Sequence, residues 1–350
     1  MLRNSSTPVK ANTGSPICPI PRIGWRPPRT VPKLKIDCLS TGVLVADHLC
    51  DPISHLPAAG ELVLSERLPL EIGGCAANVA MDLAKLGVRV GVLGCVGHDP
   101  FGAFVRDTLA ARGVDVSGIR VEPSVPTSGT LIVNVRAQDR RFIHSIGANA
   151  SLAVAHIPIE LVRQSRVLYV GGYLLLPGMD QDELARLFST ARASRVTTVL
   201  DVVLPGPGDH WSRLERLLPH TDVFLPNHDE SVVITGLKDP LDQARRFREA
   251  GARTVVITCG GDGAVLVSDD CRLRAGVYPL PFVGGTGAGD AFDAGFIAGL
   301  LAGDDFRRCL EWGSILGASC VRAIGATEGV FNRAEAEDFM RRHPLRIVEI

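Results

Sequence analysis

A glycine-rich segment followed by a single carboxylate is the part of this chain best suited to chemistry. Four of the six residues at 284–289 are glycines, and Asp290 follows them directly. Glycines leave backbone N–H groups unshielded, and the apolar run at 292–301 predicts a buried helix whose positive dipole end lies at the same place. The segment therefore predicts an anion-binding turn with a carboxylate beside it.

Asp290 alone leaves a structural role and a catalytic role open. It could simply cap the buried helix, because Asp is a favoured residue at helix N-termini. Two known nucleotide-binding loops fit poorly, since the P-loop needs Gly-Lys-Ser or Gly-Lys-Thr and the dinucleotide fingerprint places its three glycines after the first strand. Motifs elsewhere in the sequence are needed to distinguish the structural role from the catalytic one.

The composition favours a large α/β protein with a small-molecule ligand. The 350 residues are 46% hydrophobic and 21% charged, with a net charge of −1. This balance gives no support for a nucleic-acid partner or an acidic membrane surface. Nine cysteines occur without a C-x-x-C pair, and no apolar run is long enough to span a bilayer. We therefore expect reduced thiols, no membrane partner and a cytoplasmic location.

The chain divides into a leader and one folded domain. Residues 1–33 are rich in Pro, Arg and Ser and contain no acidic residue, which predicts a disordered leader, with an organellar transit peptide as the alternative. Over residues 34–350, buried strands alternate with helices, which predicts a doubly wound, mostly parallel sheet flanked by helices. The runs at 129–135 and 140–146 predict a β-hairpin.

Polar residues near the first predicted strand are candidates for binding hydroxyl groups. Residues 34–45 predict a buried strand that ends before Asp47, and open α/β sheets bind ligands at the carboxyl ends of their strands. Gly73 and Gly74 open a second run, in which Asn78 stands on the first turn of a helix with both a donor and an acceptor. Taken singly, these residues also fit a turn and a helix cap.

Five motifs, in order, resemble the ribokinase (PfkB) family of small-molecule kinases. Residues 287–292 read Gly-Ala-Gly-Asp-Ala-Phe, as in the family's C-terminal signature, and residues 73–80 resemble its N-terminal signature G-G-x-x-x-N-x-A. The segments at 57–61, 97–102 and 227–230 are similar to its P-x-x-G-E, G-x-D-x-F-G and N-x-x-E motifs. The resemblance covers nearly everything after the leader.

The resemblance implies a ribokinase-like fold with a small β-sheet lid over the substrate. The lid would be built from about 48–72 and 126–146, with β-structure near 62–70 beside the hairpin. In the family such a lid often joins two subunits. We therefore expect a homodimer that forms through the lid.

The resemblance also implies a role for each motif. In the family, the amides of Gly287, Ala288 and Gly289 form the anion hole for the transferred phosphoryl group, and Asp290 takes the proton from the attacking hydroxyl. That division of roles suits phosphoryl transfer, which depends on positioning and charge neutralisation. The sugar contacts implied in the same way are Asp47, Gly73, Gly74 and Asn78.

Nucleotide and metal contacts are implied in the C-terminal half. The expected ATP contacts are Asn227, Thr258, Gly260, Gly261, Gly263 and Thr286, and the small residues Ser314, Gly317 and Ala318 suit a surface under adenine. Asn227 and Glu230 would organise Mg²⁺ through water, in agreement with the reluctance of that ion to lose its hydration shell. The same pair also fits a helix capping box.

The sequence departs from the family pattern at several positions. Val45 and Cys75 stand where ribokinases carry Asn and often Lys, and the Arg that commonly follows Asp201 is absent. Gly284 stands where the family has an Asp that supports a monovalent cation. The departures at Val45 and Cys75 and the missing Arg leave the identity of the phosphoryl acceptor undetermined. Gly284 predicts that turnover depends little on potassium.

The sequence therefore predicts a carbohydrate kinase that transfers the γ-phosphoryl group of ATP to a sugar hydroxyl with Mg²⁺. A nucleoside kinase of the same fold is one alternative, for which Tyr173 and Phe142 are the candidate stacking aromatics. A catalytically silent regulator that binds a sugar or a nucleotide is another. Retention of Asp290 and the Gly-Ala-Gly segment argues against the silent regulator.

Overall fold

A ten-stranded sheet forms the centre of the protein in a computed structural model, which describes residues 36–138 and 140–350. The predicted leader at 1–33 lies outside the described residues. The strands, in chain order, are β1 (Cys38–Gly42), β2 (Val45–Ile53), β3 (Leu70–Gly73), β4 (Val90–Gly97), β5 (Asp115–Glu122), β6 (Gly129–Val135), β7 (Arg141–Ser145), β8 (Val167–Gly171), β9 (Thr197–Leu200), β10 (Val223–Phe224), β11 (Thr254–Thr258), β12 (Ala264–Ser268), β13 (Arg272–Ala275) and β14 (Ile347–Glu349).

Helices cover the sheet and follow most of its strands. In chain order they are α1 (Cys75–Lys85), α2 (Pro100–Ala111), α3 (Ile159–Gln164), α4 (Gln181–Ala193), α5 (Trp211–Leu214), α6 (His228–Thr235), α7 (Pro240–Glu249), α8 (Ala288–Ala302), α9 (Phe306–Cys320) and α10 (Arg333–Arg342). Among the described residues, no helix combines the length and the apolar character that crossing a membrane requires. The described cysteines are all free.

The central sheet is parallel except at one edge. Its order is β14-β13-β12-β11-β10-β9-β8-β1-β4-β5. The strands from β11 to β5 pair in parallel, whereas β12, β13 and β14 pair antiparallel. Parallel strands covered on both faces read as continuous apolar runs, which β4 and β8 illustrate because every residue of both is buried. The predicted doubly wound architecture is confirmed.

Two apolar layers hold the helices on opposite faces of this sheet. Side chains alternate along β8, so that Tyr169 packs into the layer with α1, α2, α8 and α9, whereas Leu168 and Val170 pack into the layer with α4 and α7. Each side chain of this size contributes roughly 1.5–3 kcal/mol when it is fully buried. The layer under α8 fixes the position of the glycine-rich turn that precedes that helix.

A second, four-stranded sheet, here called the lid sheet, has the order β3-β2-β6-β7. Strand β2 pairs antiparallel with β3 and parallel with β6, and β6 and β7 form the predicted hairpin. The segment between β2 and β3 carries no strand, and Leu62 and Leu64 are 79% and 83% exposed. The expected β-structure at 62–70 is therefore wrong before Leu70, because no pleated face is buried there.

The predicted strand at 34–45 is in fact two elements. Strand β1 ends at Gly42, where a Cβ atom would lie 2.1 Å from the Gly171 carbonyl oxygen. The Asn149 side chain then bonds both the N–H and the C=O of Leu44, at 3.1 and 2.9 Å. Because a side chain satisfies this backbone, the chain can leave the central sheet and enter the lid sheet. Asp47 consequently lies within β2 and not at the end of a central strand.

Candidate active site

The glycine-rich turn at the start of α8 presents open backbone amides. Gly287 has a φ of 79°, and a Cβ atom there would lie 2.4 Å from the Ala326 carbonyl oxygen, so only glycine fits. A Cβ atom on Gly289 would have no neighbour within 4 Å. The first N–H groups of a helix lack intrahelical partners and lie at the positive end of its dipole. Of these, the Ala288 N–H makes a long bond of 3.4 Å to the Gly285 carbonyl oxygen. This end of α8 can therefore accept an anion.

Asp290 lies on the first turn of α8, beside these amides. The Asn78 side-chain amide of α1 donates a hydrogen bond of 2.8 Å to its Oδ2 atom. Burial raises the pKa of Asp290, and the bonds from Asn78 and the Cys75 thiol offset part of that rise. A carboxylate with a raised pKa and an open approach can take up a proton from a reacting group.

A cavity of about 840 Å³, here called the lid cavity, lies between the lid sheet and the central sheet. Asp290, Gly287 and Thr286 line it from α8 and its turn. Gly74, Cys75 and Asn78 line it from α1 and the residue before it. The polar side chains that line the rest of the cavity are Asp47, Thr130, His144 and Arg213.

Asp47 faces the lid cavity from β2, opposite Thr130 of β6. A Cβ atom on Gly73 would lie 1.9 Å from Asp47 Oδ2, so the glycine leaves room for this carboxylate. Burial raises the pKa of Asp47 to about 6, the Thr130 hydroxyl opposes that rise, and the charges of Asp290 and Glu71 add to it. Of the predicted sugar contacts, Asp47 and Asn78 thus line the same cavity, whereas Gly73 lies beside Asp47 without lining it.

A second cavity of about 470 Å³, here called the turn cavity, lies on the other side of the α8 turn. The predicted residues Thr258, Gly260, Gly261 and Gly263 line it, as do Ala288, Gly289, Ser314, Gly317 and Ala318. The φ of Gly263 is 86°, and a Cβ atom there would lie 2.0 Å from the Ala275 carbonyl oxygen. Of the predicted nucleotide contacts, Thr286 lines the lid cavity instead.

The two cavities meet at the turn before α8. Gly285, Ala288 and Gly289 line the turn cavity, whereas Gly287 and Asp290 line the lid cavity. Neighbouring residues of one turn therefore face different cavities. This arrangement can hold an anionic group between two ligands, with a carboxylate on one side only.

Several buried carboxylates gather beneath Asp290. One ligand atom from each of Cys75, Asp201 and Asp290 lies within 4.8 Å of the others. Burial raises the pKa of Asp201, and the charges of Glu230 and Asp290 raise it further. Because the carboxylates destabilise one another when ionised, a cation bound beside them would be favoured. Carboxylate oxygens are the ligands that Mg²⁺ prefers, so Asp201 and Asp290 fit that ion, whereas the Cys75 thiol does not.

Asn227 and Glu230 form the capping box that their spacing also allowed. Asn227 Oδ1 accepts from the Glu230 N–H at 2.8 Å, and Glu230 Oε2 accepts from the Asn227 N–H at 2.9 Å. Neither residue lines either cavity. Burial raises the pKa of Glu230 to about 7, with smaller contributions from the charges of Asp290 and Asp229. The pair therefore caps α6 and also contributes charge to the acidic group.

Sequence reasoning assigned no role to four residues that line the cavities. Thr130 and His144 face the lid cavity from β6 and β7, and alternation along the predicted hairpin was a usable signal for them. Arg213 reaches the same cavity from α5, and no motif marks it. Arg140 lines the turn cavity, and a Cβ atom on Gly285 would lie 2.7 Å from its Nη1 atom. Its guanidinium therefore lies against the glycine-rich turn that precedes α8.

The sequence is similar to those of known sugar and nucleoside kinases. The profile of the pfkB family carbohydrate kinases matches residues 37–332. A ribokinase of Haemophilus influenzae is 27% identical over 306 residues, which cover 85% of this chain and 96% of that protein. A nucleoside kinase of Methanothermobacter thermautotrophicus is 28% identical over 313 residues, which cover 86% of this chain and 94% of that protein.

The fold also has close structural counterparts. A ribokinase-like protein of E. coli, solved in complex with ATP and Mg²⁺, superimposes with a TM-score of 0.75 and 24% identity. The superposition covers 88% of this chain and all of that one. Because the family profile spans most of the sequence, this chain belongs to the pfkB family of carbohydrate kinases and is a phosphotransferase with an alcohol group as acceptor.

Proposed function

We propose that this kinase transfers the γ-phosphoryl group of ATP to a hydroxyl group of a sugar, with Asp290 as the general base. One observation carries the proposal. Asp290 faces the lid cavity, whereas its neighbours Ala288 and Gly289 line the turn cavity. A sugar in the first cavity and ATP in the second would meet at the start of α8.

The proposed reaction needs little covalent work from the protein. The sugar oxygen forms a bond to the γ-phosphorus while the bond from that phosphorus to the β-phosphate oxygen breaks and ADP leaves. The hydroxyl proton passes to Asp290, and the Asn78 bond of 2.8 Å holds that carboxylate in place. The amides of Ala288 and Gly289 stabilise the negative charge on the transferred group.

Asp201 and Glu230 would hold a hydrated Mg²⁺ in this proposal. When bound, the ion would neutralise charge on the phosphate groups. Asp201 is itself fixed by the Gly172 N–H, which donates a bond of 3.0 Å to Oδ2. Hydrogen bonds from backbone N–H groups thus fix the orientation of the Asp201 and Glu230 carboxylates in the absence of a ligand.

A nucleoside kinase is the second candidate. Phe142 lines the lid cavity, where its ring is 54% exposed and could stack on a base. Tyr173 is fully buried and does not line the cavity. ADP release measured with pentoses, ketohexoses, keto-deoxy sugar acids and nucleosides tests both candidates. A catalytically silent regulator would release no ADP with any of them.

Asp47→Ala should raise the KM for the acceptor by roughly 10- to 100-fold, because a carboxylate that binds hydroxyls contributes about 1.5–3 kcal/mol. The KM for ATP should stay within a factor of about two. Steady-state kinetics with both substrates varied give the two constants. Equal increases in both would show that Asp47 does not bind the acceptor.

Asp51→Ala is the matched control for this prediction. Asp51 is a second buried Asp of β2, but it pairs with Arg67 at 2.8 Å and does not line the lid cavity. The pH gives a further check, because the pKa of Asp47 is about 6. Protonation below that pH removes an acceptor of hydrogen bonds, so acceptor affinity should fall as the pH decreases through 6, and Asp47→Ala should lack this dependence.

Potassium should change turnover by less than about threefold, which is under about 1 kcal/mol of barrier. Gly284 supplies no carboxylate, and a Cβ atom there would already lie 3.0 Å from the Ala323 carbonyl oxygen. The carbonyl oxygens of Thr286 and Ala326 lie 3.3 and 3.1 Å from the Cys320 sulfur, so the single S–H proton can be donated to either of them. Turnover in saturating Mg²⁺, with potassium exchanged for a bulky organic cation at constant ionic strength, measures the effect. A tenfold fall would refute it.

Two further proposals concern the assembly and location of the protein. A homodimer through the lid sheet is supported by the face that points away from the lid cavity, where the paired residues Leu131 and Ile143 are 41% and 66% exposed. A cytoplasmic location is supported by the free thiols of the described cysteines.

A further inference from the structure

Arg213 places a positive charge in the wall of the lid cavity. The residue belongs to α5 and lies in none of the five motifs of the family resemblance. It makes no ion pair with a carboxylate within 4 Å in the part of the chain that the structure describes. The wall around it is apolar and is formed by Leu174, Leu175, Pro177, Val203, Leu204 and Pro205. A cation beside such a wall is poorly solvated and attracts an anion.

The guanidinium of Arg213 is held in a fixed position. Its Nη1 atom donates to the Leu174 carbonyl oxygen at 3.1 Å. Its Nη2 atom donates to the carbonyl oxygens of Leu176 at 3.1 Å and Met179 at 3.5 Å. Its Cζ atom lies 4.8 Å from the centre of the buried Tyr173 ring. These contacts use only part of its five N–H donors, and a guanidinium fixed in this way binds planar anions with little further loss of entropy.

The other charged groups of the cavity are suited to different parts of a ligand. Asp47 and Asp290 are carboxylates, which bind hydroxyl groups and repel anions. Neither of them pairs with Arg213, and the charge of Arg213 is not among the causes of the pKa shift of either carboxylate. The cavity volume of about 840 Å³ is near the upper end of the range for pockets that enclose small-molecule ligands. A polyol with a separate charged group would use the whole site.

We propose that the acceptor is an anionic sugar, whose carboxylate or phosphate group binds Arg213 while its hydroxyl groups bind Asp47, Asn78 and Asp290. This inference rests on the proposed kinase activity and specifies its substrate class. Arg213 is then a residue that determines specificity, and it takes no part in the phosphoryl transfer. Neutral sugars bind the polar end of the cavity alone and leave the guanidinium without a counter-ion.

The test uses matched pairs of neutral and anionic acceptors with the full-length protein. The pairs are D-ribose with D-ribonate, D-glucose with D-gluconate, and D-fructose with D-fructose 6-phosphate, of which the first two carry a carboxylate and the third a phosphate. ADP release gives kcat/KM, and the shift in melting temperature gives binding without turnover. We expect at least one anionic member to exceed its neutral partner by about tenfold or more in kcat/KM, as a charge-assisted bond predicts.

Arg213→Met should remove this preference by lowering kcat/KM for the anionic acceptor roughly 10- to 100-fold. The neutral partner should change by less than about threefold. Arg216→Met is the matched control, since Arg216 follows α5 closely but is exposed and pairs with Asp182 at 3.2 Å. It should retain the full preference for the anionic acceptor.

Three outcomes would overturn the inference. The first is an equal loss for neutral and anionic acceptors in Arg213→Met, which would show that the arginine only supports the wall through Leu174 and Leu176. The second is a preference of the parent for neutral acceptors. The third is the absence of any melting shift with the anionic members. The absence of ADP release with every acceptor, neutral and anionic, would instead contradict the proposed reaction, even if a melting shift that depends on Arg213 supports the anion site.

Discussion

Replacing Asp290 with Asn should reduce turnover by about 10²- to 10⁴-fold, the usual cost of losing a general base. The amide has nearly the same shape but cannot take the proton from the acceptor hydroxyl. Acceptor and ATP binding should change little, because the open amides of the α8 turn remain. Single-turnover measurements with saturating substrates isolate the transfer step. Turnover within a factor of a few of the parent would leave Asp290 with a capping role only.

The Asp290→Asn variant should also remain folded. Burial raises the pKa of Asp290 above its value in the unfolded chain, so the ionised carboxylate destabilises the native state once the pH exceeds the unfolded pKa. Removing the charge should therefore leave the melting temperature at pH 7 unchanged or higher. Asp293→Asn is a control in the same helix, because Asp293 bonds the Tyr169 hydroxyl at 3.1 Å and lines neither cavity. It should retain turnover.

The parallel sheet was predictable because its buried strands are continuous apolar runs in the sequence. Strands β8 and β11 are two such apolar runs within the alternation of strands and helices predicted for residues 34–350. Helix starts were also readable where a cap is local, as with Asn227 and Glu230. Such features depend on residues within one turn or one strand of each other.

The course of the chain after β1 was not predictable in the same way. The break at Leu44 depends on Asn149, which is 105 positions away in the sequence. Residues 34–45 are apolar enough for a single strand, so the local pattern contains no sign of the break. The consequence for the site is substantial, because it moves Asp47 from the central sheet to the lid sheet. Only the tertiary contact decides between these two positions.

The site residues that belong to family motifs could be predicted from the sequence. Asp47, Asn78 and Asp290 were proposed together through the family resemblance, and they do line one cavity. Arg213 was missed because a single arginine after an irregular segment has no distinguishing neighbours in the sequence. Asp201 was noted without a role, and it comes close to Cys75 and Asp290 only in the folded chain, because the three residues are far apart in the sequence.

Gly289→Val should abolish most activity without unfolding the protein. A Cβ atom at this position has no neighbour within 4 Å and lies in the wall of the turn cavity. The added side chain would occupy the space that a phosphate group needs to reach the amides. Loss of one such donor reduces kcat by roughly 10²- to 10³-fold. Calorimetric titration with ATP and steady-state kinetics measure the two effects, and unchanged ATP binding would contradict an anion site at this turn.

Gly287→Ala separates this effect from a general sensitivity of the turn. Gly287 has a φ of 79°, and its Cβ atom would lie 2.4 Å from the Ala326 carbonyl oxygen, which is backbone and cannot rotate away. Even a methyl group there should lower the melting temperature, because left-handed backbone strain and the clash both act on the folded state. Gly289→Val should melt no lower than the parent, since valine also reduces the freedom of the unfolded chain. If both variants lose stability equally, the glycines of this turn serve the fold, and the case for an open anion cradle at the start of α8 fails.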